Sequence, residues 1–189
     1  MSKILVDTID TRSGTSNITI GSSNASQITL KSGATLTNFP ANTPAFMATL
    51  SSAMSSIAQN TWITITADTE VLDTNSNYNT TNYSFTPTVA GKYLVFCFTR
   101  WADVQAGTYA YYRLYKNGAT VEMLGEHYVA SHGSSQNNTE LSLTGSKVID
   151  FNGSSDNVVC QVHTTTGSGV DIKAGNNETN WGAYKIIGA

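Results

Sequence analysis

From about residue 45 onward, apolar and polar positions alternate with a period of two, in short runs broken by Gly and Asn. That is the pattern of pleated strands and not of helices. Thr61-Trp62-Ile63-Thr64-Ile65-Thr66 alternates in this way, and Asn82-Tyr83-Ser84-Phe85-Thr86 does so before stopping at Pro87. Lys92-Tyr93-Leu94-Val95-Phe96-Cys97-Phe98-Thr99 is nearly continuous and apolar, which predicts a central strand covered on both faces. Residues 109–115 run into Lys116-Asn117-Gly118, a hairpin turn signal, and residues 119–124 return from it. Residues 140–145, 147–151, 156–163 and 181–187 complete the set. About eight to ten strands joined by Gly/Asn turns predict an all-β, two-sheet antiparallel sandwich, most simply a jelly roll. Residues 48–58, rich in Ala, Met and Ser, fit either a helical turn or a loop.

Residues 1–39 follow a different pattern. They hold one aromatic, Phe39, and three short related pieces: Asn17-Ile18-Thr19-Ile20-Gly21, Gln27-Ile28-Thr29-Leu30-Lys31 and Ala34-Thr35-Leu36-Thr37-Asn38. Each alternates for one short strand, and they recur about every eight to ten residues as a weak internal repeat. Such strands bury too little to offset the roughly 1–2 kcal/mol of backbone entropy per ordered residue. Several copies wrapped around a common axis would share one narrow core. The segment therefore reads as a trimeric β-rich stalk or docking segment, the alternative being a disordered polar tail. Residues 40–44, with Pro40 and Pro44, read as an extended linker. All three Trp, all nine Tyr and five of the six Phe lie beyond it, which marks residues 45–189 as the globular head.

Composition narrows the function classes. The 189 residues include 27 Thr, 21 Ser and 17 Asn, with only 12 % charged, yet 40 % are hydrophobic, enough for a packed core. A net charge of -3 argues against a nucleic-acid partner. No apolar run approaches the roughly 18 residues of a membrane-spanning helix. Met1-Ser2-Lys3 is followed by only three apolar residues before Asp7, too few for a secretory signal, so synthesis in a host cytoplasm is expected. Cys97 and Cys160 sit in apolar strand-like runs and read as two buried thiols. A disulfide would require that they face each other.

Several motifs in register carry a family resemblance. Thr43-Pro44-Ala45-Phe46-Met47-Ala48 resembles the opening strand of the C1q-like and tumour-necrosis-factor superfamily. Phe85-Thr86-Pro87, followed by Gly91-Lys92-Tyr93-Leu94-Val95-Phe96, is similar to its aromatic-x-Pro and Gly-x-Tyr-x-x-aromatic stretch. Leu114-Tyr115-Lys116-Asn117-Gly118-Ala119-Thr120-Val121 resembles its hairpin, and residues 141–148 resemble its Leu-x-Leu-x-x-Gly-Asp-x-Val element, with Ser146 and Lys147 replacing Asp-x. Trp181-Gly182-Ala183-Tyr184 stands where the family closes with Phe-x-Gly-Phe. The resemblance implies a ten-stranded jelly roll that packs as a compact homotrimer. It also implies that Phe46, Tyr93, Phe96, Leu114, Trp181 and Tyr184 contribute to the core and the trimer axis. The N-terminal part, opening Met-Ser-Lys-Ile-Leu-Val-Asp, resembles the short stalks of tailed-bacteriophage fibres and other virion appendages.

Little chemistry is written in the chain. There is no Gly-x-Ser-x-Gly elbow, Walker loop or Cys-x-x-Cys, and no catalytic residue, metal site or cofactor is assigned. Glu126, His127 and His132 could ligate a metal or simply be exposed. Asp68, Glu70 and Asp73 could hold calcium or form a solvated loop. Cys160 and His163, three apart on a strand, should point to opposite faces. Three functions remain. The favoured one is a structural protein of a tailed-phage virion, a trimeric fibre docked on other virion proteins through residues 1–39. The alternatives are a capsid decoration protein at three-fold positions and a head that binds a host-surface glycan or protein. For that last role the loops 75–81, 130–139 and 164–179 are the expected apex.

Overall fold

The structure, a computed structural model, describes Ser32 and residues 42–130, 139–165 and 169–187. The chain divides into two units, Met1–Phe39 and Pro40–Ala189. The repeats expected in residues 1–39 lie outside the described residues, as do most of the expected apex loop 130–139 and His132.

The described residues of the second unit hold twelve strands and no helix. In chain order these are β1 (Ala45–Thr49), β2 (Ile63–Thr64), β3 (Thr69–Asp73), β4 (Tyr78–Asn79), β5 (Ser84–Phe85) and β6 (Gly91–Val104). They continue as β7 (Tyr109–Lys116), β8 (Ala119–Tyr128), β9 (Thr139–Phe151), β10 (Val158–Thr164), β11 (Asp171–Ile172) and β12 (Asn180–Lys185). Two antiparallel sheets form. The first runs β9-β6-β12-β1-β3, with β11 extending the β12 side of β6. The second runs β5-β10-β7-β8, with β4 beyond β5 and β2 also paired to β10. The strand total exceeds the expected ten because four of the elements are only two residues long.

Period-two alternation decides which side chains meet between the sheets. In β6, Tyr93, Val95, Cys97, Thr99 and Trp101 are buried, while Leu94, Phe96, Phe98 and Arg100 are half-buried on the other face. The expectation that this strand is covered on both faces is thus corrected for the single chain: only one face is filled from within. β10 behaves alike, with Val158, Cys160, Val162 and Thr164 inward and Val159, Gln161 and His163 outward. Cys160 and His163 do point to opposite faces. Cys160 meets Cys97 across the sandwich with the two Sγ atoms 2.8 Å apart, both thiols free and buried. Burial pushes the Cys97 thiol up, so Cys97 remains a protonated packing group at neutral pH.

Turn chemistry explains the longest hairpin. Asn117 and Gly118 take φ of 50° and 80°, the left-handed pair a type I′ turn requires, and β7 and β8 pair from Lys116↔Ala119 to Tyr109↔Tyr128. Other expectations are corrected. Residues 140–151 form one strand instead of two, because all of β9 follows β6 from Leu141↔Trp101 to Phe151↔Gly91. The polar segment around Glu70 is a strand, β3, paired to β1 with a bulge. Of the two readings of residues 48–58, residues 50–58 follow the loop, which Met54 ties to Ile172 through two backbone hydrogen bonds of 3.0 Å.

Phe46 sits at the centre of the core. Its ring stacks on Phe85 at 4.4 Å and Tyr78 at 4.7 Å, and meets the Trp181 edge at 4.7 Å. Tyr93 and Phe151 extend the cluster, with Tyr93 edge-on to Phe85 at 5.8 Å and to Phe151 at 5.2 Å. Because Phe46 touches rings from both sheets, its removal opens a cavity that neither sheet closes alone. Phe46→Ala should lower unfolding free energy by roughly 3–5 kcal/mol in chemical denaturation, and a change below about 1 kcal/mol would mean this packing is wrong.

Candidate functional site

The six residues singled out by resemblance fall into two groups. Phe46, Tyr93, Leu114 and Trp181 are buried between the sheets, at 2 % exposure or less. Phe96 and Tyr184 point the other way, onto the outer face of the first sheet, where Tyr184 is 38 % exposed. Strand register assembles that face. Val148, Leu94, Tyr184 and Ala45 make one row, and Ser146, Phe96, Gly182, Met47 and Leu72 make the next. The Phe96 ring can lie against the sheet because its neighbour is Gly182. A Cβ there would come within 2.6 Å of the ring and 2.4 Å of the Phe46 carbonyl oxygen. A depression of about 420 Å³ between Phe96, Tyr184, Met47 and Leu72 is almost wholly apolar.

One end of this face is charged. Glu140 bridges Arg100, at 2.6 Å, and Lys173, with Glu178 3.9 Å from Arg100. The Lys173 and Arg100 hydrogen bonds hold the Glu140 carboxyl down from its usual 4.5 to about 2.

The outer face of the second sheet has a different character. Tyr109, Tyr111, Arg113 and Tyr115 alternate outward along β7, beside His163, Gln161 and Val159 of β10 and Trp62 and Thr64 next to it. The rings form a continuous ladder. Tyr128 lies 4.6 Å from Tyr109, Tyr109 stacks on Tyr111 at 5.8 Å, Tyr111 meets His163 at 5.6 Å, and His163 meets Trp62 at 5.0 Å. The Arg113 guanidinium lies 3.9 Å from the Trp62 ring centre and 4.6 Å from that of Tyr115. Arg113 Nε donates to Gln161 Oε1 at 2.9 Å and Nη1 to Thr120 Oγ1 at 2.7 Å, while Gln161 Nε2 donates to Thr64 Oγ1 at 3.3 Å. Desolvation and the nearby guanidinium lower the His163 pKa, so its ring is neutral at pH 7. A shallow groove of about 410 Å³ continues from Tyr115 and Gln161 past Thr64, Asn82, Ser84, Thr86 and Asn157.

The remaining candidates serve the fold. Asp68 accepts from the Ser51 backbone N–H at 2.8 Å and hydroxyl at 2.6 Å, which lower its pKa. Asp73 accepts backbone N–H bonds from Asn77 and Tyr78, at 3.1 and 2.8 Å, and so organises the β3–β4 turn. Among the described residues no cluster of three metal-ligating side chains occurs. His127 lies on β8 opposite Ala110 instead of in a loop. Lys147 pairs with Glu122 at 2.9 Å, linking β9 to β8, and its neighbour Ser146 stands where the resembled motif has its acidic residue. In loop 75–81 the amides are also occupied: Asn77 Oδ1 accepts from Thr88 N–H and Oγ1, and Asn79 Oδ1 from Thr81 N–H.

No family model matches the chain, and no curated protein does. Solved structures do match. Eiger TNF from S. frugiperda aligns over 77 % of this chain and 93 % of its own, with TM-score 0.53 and 14 % identity. Murine APRIL at pH 5.0 aligns over 75 % of this chain and 98 % of its own, with TM-score 0.54 and 12 % identity. The described strands thus share the TNF-like jelly-roll fold of these proteins.

The charged end of the first face gives a pH signature. A carboxyl whose folded pKa is depressed contributes stability that is present above its unfolded value and lost as pH falls through the folded one. Glu140→Gln should therefore flatten the acid-side fall in melting temperature between pH 4.5 and about 2. An unchanged pH profile would show that the bridge contributes nothing.

Proposed function

We propose that the chain is a homotrimeric structural protein of a tailed-phage virion. It is an appendage whose residues 1–39 dock on other virion proteins while residues 45–189 form an outward-facing head. The observation that carries the self-association is the outer apolar face of the first sheet. Leu94, Phe96, Met47, Leu72, Val148 and Tyr184 stand on one surface that nothing in the chain's described residues covers, with Leu72 at 49 % and Val148 at 45 % exposure. Contiguous exposed apolar surface of this kind marks an interface in soluble proteins. The continuous apolar run of residues 93–98 is accounted for if a second copy supplies the cover. The resemblance to a trimeric family favours closure at three. The virion reading is supported by the Ile-Thr repeats in the sequence of residues 1–39 and by their likeness to phage fibre stalks.

Light scattering should give the full chain a mass three times its 20.2 kDa. Phe96→Asp should reduce it to the single-chain mass, since an unpaired carboxylate buried at each interface costs on the order of 3–5 kcal/mol. A single-chain mass for the unmodified protein overturns the trimer. The virion role has its own test, electron microscopy of intact particles with a label on the head. Label confined to the tail or a vertex is the expected result. Label over the whole shell would make it a decoration protein, and particles without label would remove it from the virion.

A further inference from the structure

We infer that the outer face of the second sheet is a binding platform for a neutral oligosaccharide. Trp62 and Tyr115 are its stacking surfaces, and Gln161, Thr64 and the hydroxyl- and amide-lined groove beyond them are its polar readers. The platform does not depend on the virion reading, and the surface involved is the opposite one from the face proposed to self-associate.

Four features point to a sugar. The first is chemical pairing. A pyranose ring offers one apolar C–H face and a rim of hydroxyls, so it wants an aromatic plane beside amides and hydroxyls. Here Trp62 and Tyr115 flank Arg113, and Gln161, Thr64, Asn82, Ser84, Thr86 and Asn157 continue the surface. The second is size and shape: the groove of about 410 Å³ falls within the roughly 300–1,000 Å³ of small-molecule sites. It is shallow and open along the sheet, which suits an extended chain of rings. The third is pre-organisation. Arg113 is held by two rings and by bonds to Gln161 and Thr120, and Gln161 is held in turn by Thr64. A ligand therefore meets side chains already ordered, and little further freedom is lost on binding. The fourth is economy. In a chain with 27 Thr and 21 Ser, a merely solvated strand face would be built from hydroxyl residues. This one instead carries Trp62, Tyr109, Tyr111, Tyr115, Tyr128 and His163. The Arg113 guanidinium keeps its charge but is spent on this surface, sandwiched by Trp62 and Tyr115 and donating to Gln161 and Thr120, and His163 packs as an uncharged ring, so a neutral ligand fits.

The protein carries its own reporter. Trp101 and Trp181 are fully buried, so acrylamide should quench only Trp62, which is half-buried on the platform. The full chain should be titrated at millimolar concentrations with cellotriose, maltotriose, lactose and triacetylchitotriose. At least one should shield Trp62 from acrylamide in a saturable way. Tyr115→Ala and Gln161→Ala, which leave the reporter in place, should each weaken that affinity by about tenfold or more. The blue emission of the two buried indoles confirms in the same spectra that each variant is folded. The idea fails if no sugar in the panel shields Trp62. It also fails if folded Tyr115→Ala and Gln161→Ala bind as the unmodified chain does. Quenching that depends on protein concentration without sugar would overturn it too, since the face would then be a contact between copies.

Discussion

The head is organised by the pleat of one strand, β6. Fourteen residues long, it pairs with β9 along one side and with β12 and β11 along the other, so the first sheet is assembled around it. A pleated strand cannot choose its two faces independently. Once Tyr93, Val95, Cys97 and Trp101 fill the space between the sheets, Leu94, Phe96 and Phe98 are committed to the opposite surface. The apolar outer face is thus a direct consequence of where the core lies. What needs explaining is why those outward positions are apolar at all in so polar a chain. A second copy lying over them answers that question and requires no further feature of the fold.

The same logic separates the two outer faces by chemistry. On the first sheet the centre of the outer face carries Leu94, Phe96, Met47, Leu72, Val148 and Tyr184, with Gly182 letting the Phe96 ring lie close, and ion pairs stand at its two ends, Glu140 with Arg100 and Lys92 with Asp150. Such a surface loses most from contact with water and little from contact with another protein. On the second sheet the central outward rings have polar neighbours: Trp62 and Tyr115 both have the Arg113 guanidinium, and Tyr111 has His163. That surface is already content in water and gains only from a ligand that is itself half apolar and half hydroxyl.

Much of this was legible from the sequence, and the gaps have physical causes. The β7–β8 hairpin could be read because Asn117-Gly118 supplies both left-handed residues. The paired runs at 140–145 and 147–151 misled because Gly145 and Ser146 resemble a break, yet β6 supplies an unbroken partner and holds them in one strand. β3 went unread because it is almost wholly exposed and its Val71-Leu72 pair is flanked by the acidic Glu70 and Asp73. It is held by pairing to β1, and its flanking Asp68 and Asp73 serve as hydrogen-bond acceptors for turns. Asn- and Thr-rich loops are where a binding surface is expected in such a chain, but in loop 75–81 the amides are occupied in shaping the turns. The signal for the platform was nonetheless present: Tyr109, Tyr111 and Tyr115 share the parity opposite to buried Ala110, Tyr112 and Leu114. What the sequence could not reveal was that Trp62 and His163, distant in the chain, would join that parity through β2 and β10.

The two faces are also mechanically joined. They lie back to back across a core in which Cys97 of β6 touches Cys160 of β10 and the Phe46 cluster draws rings from both sheets. Close-packed interiors of this kind transmit position without slack. In the proposed trimer, the orientation of each platform would therefore be set by the contact made on the opposite sheet, and three platforms would face outward from one axis. A single sugar-stacking surface of this size binds weakly, but three held at fixed spacing turn the second and third contacts into intramolecular events. Affinity for a repetitive glycan surface would then come from the assembly and not from the individual groove. This explains why an open, shallow platform could suffice where a monomeric binder would need a deep pocket.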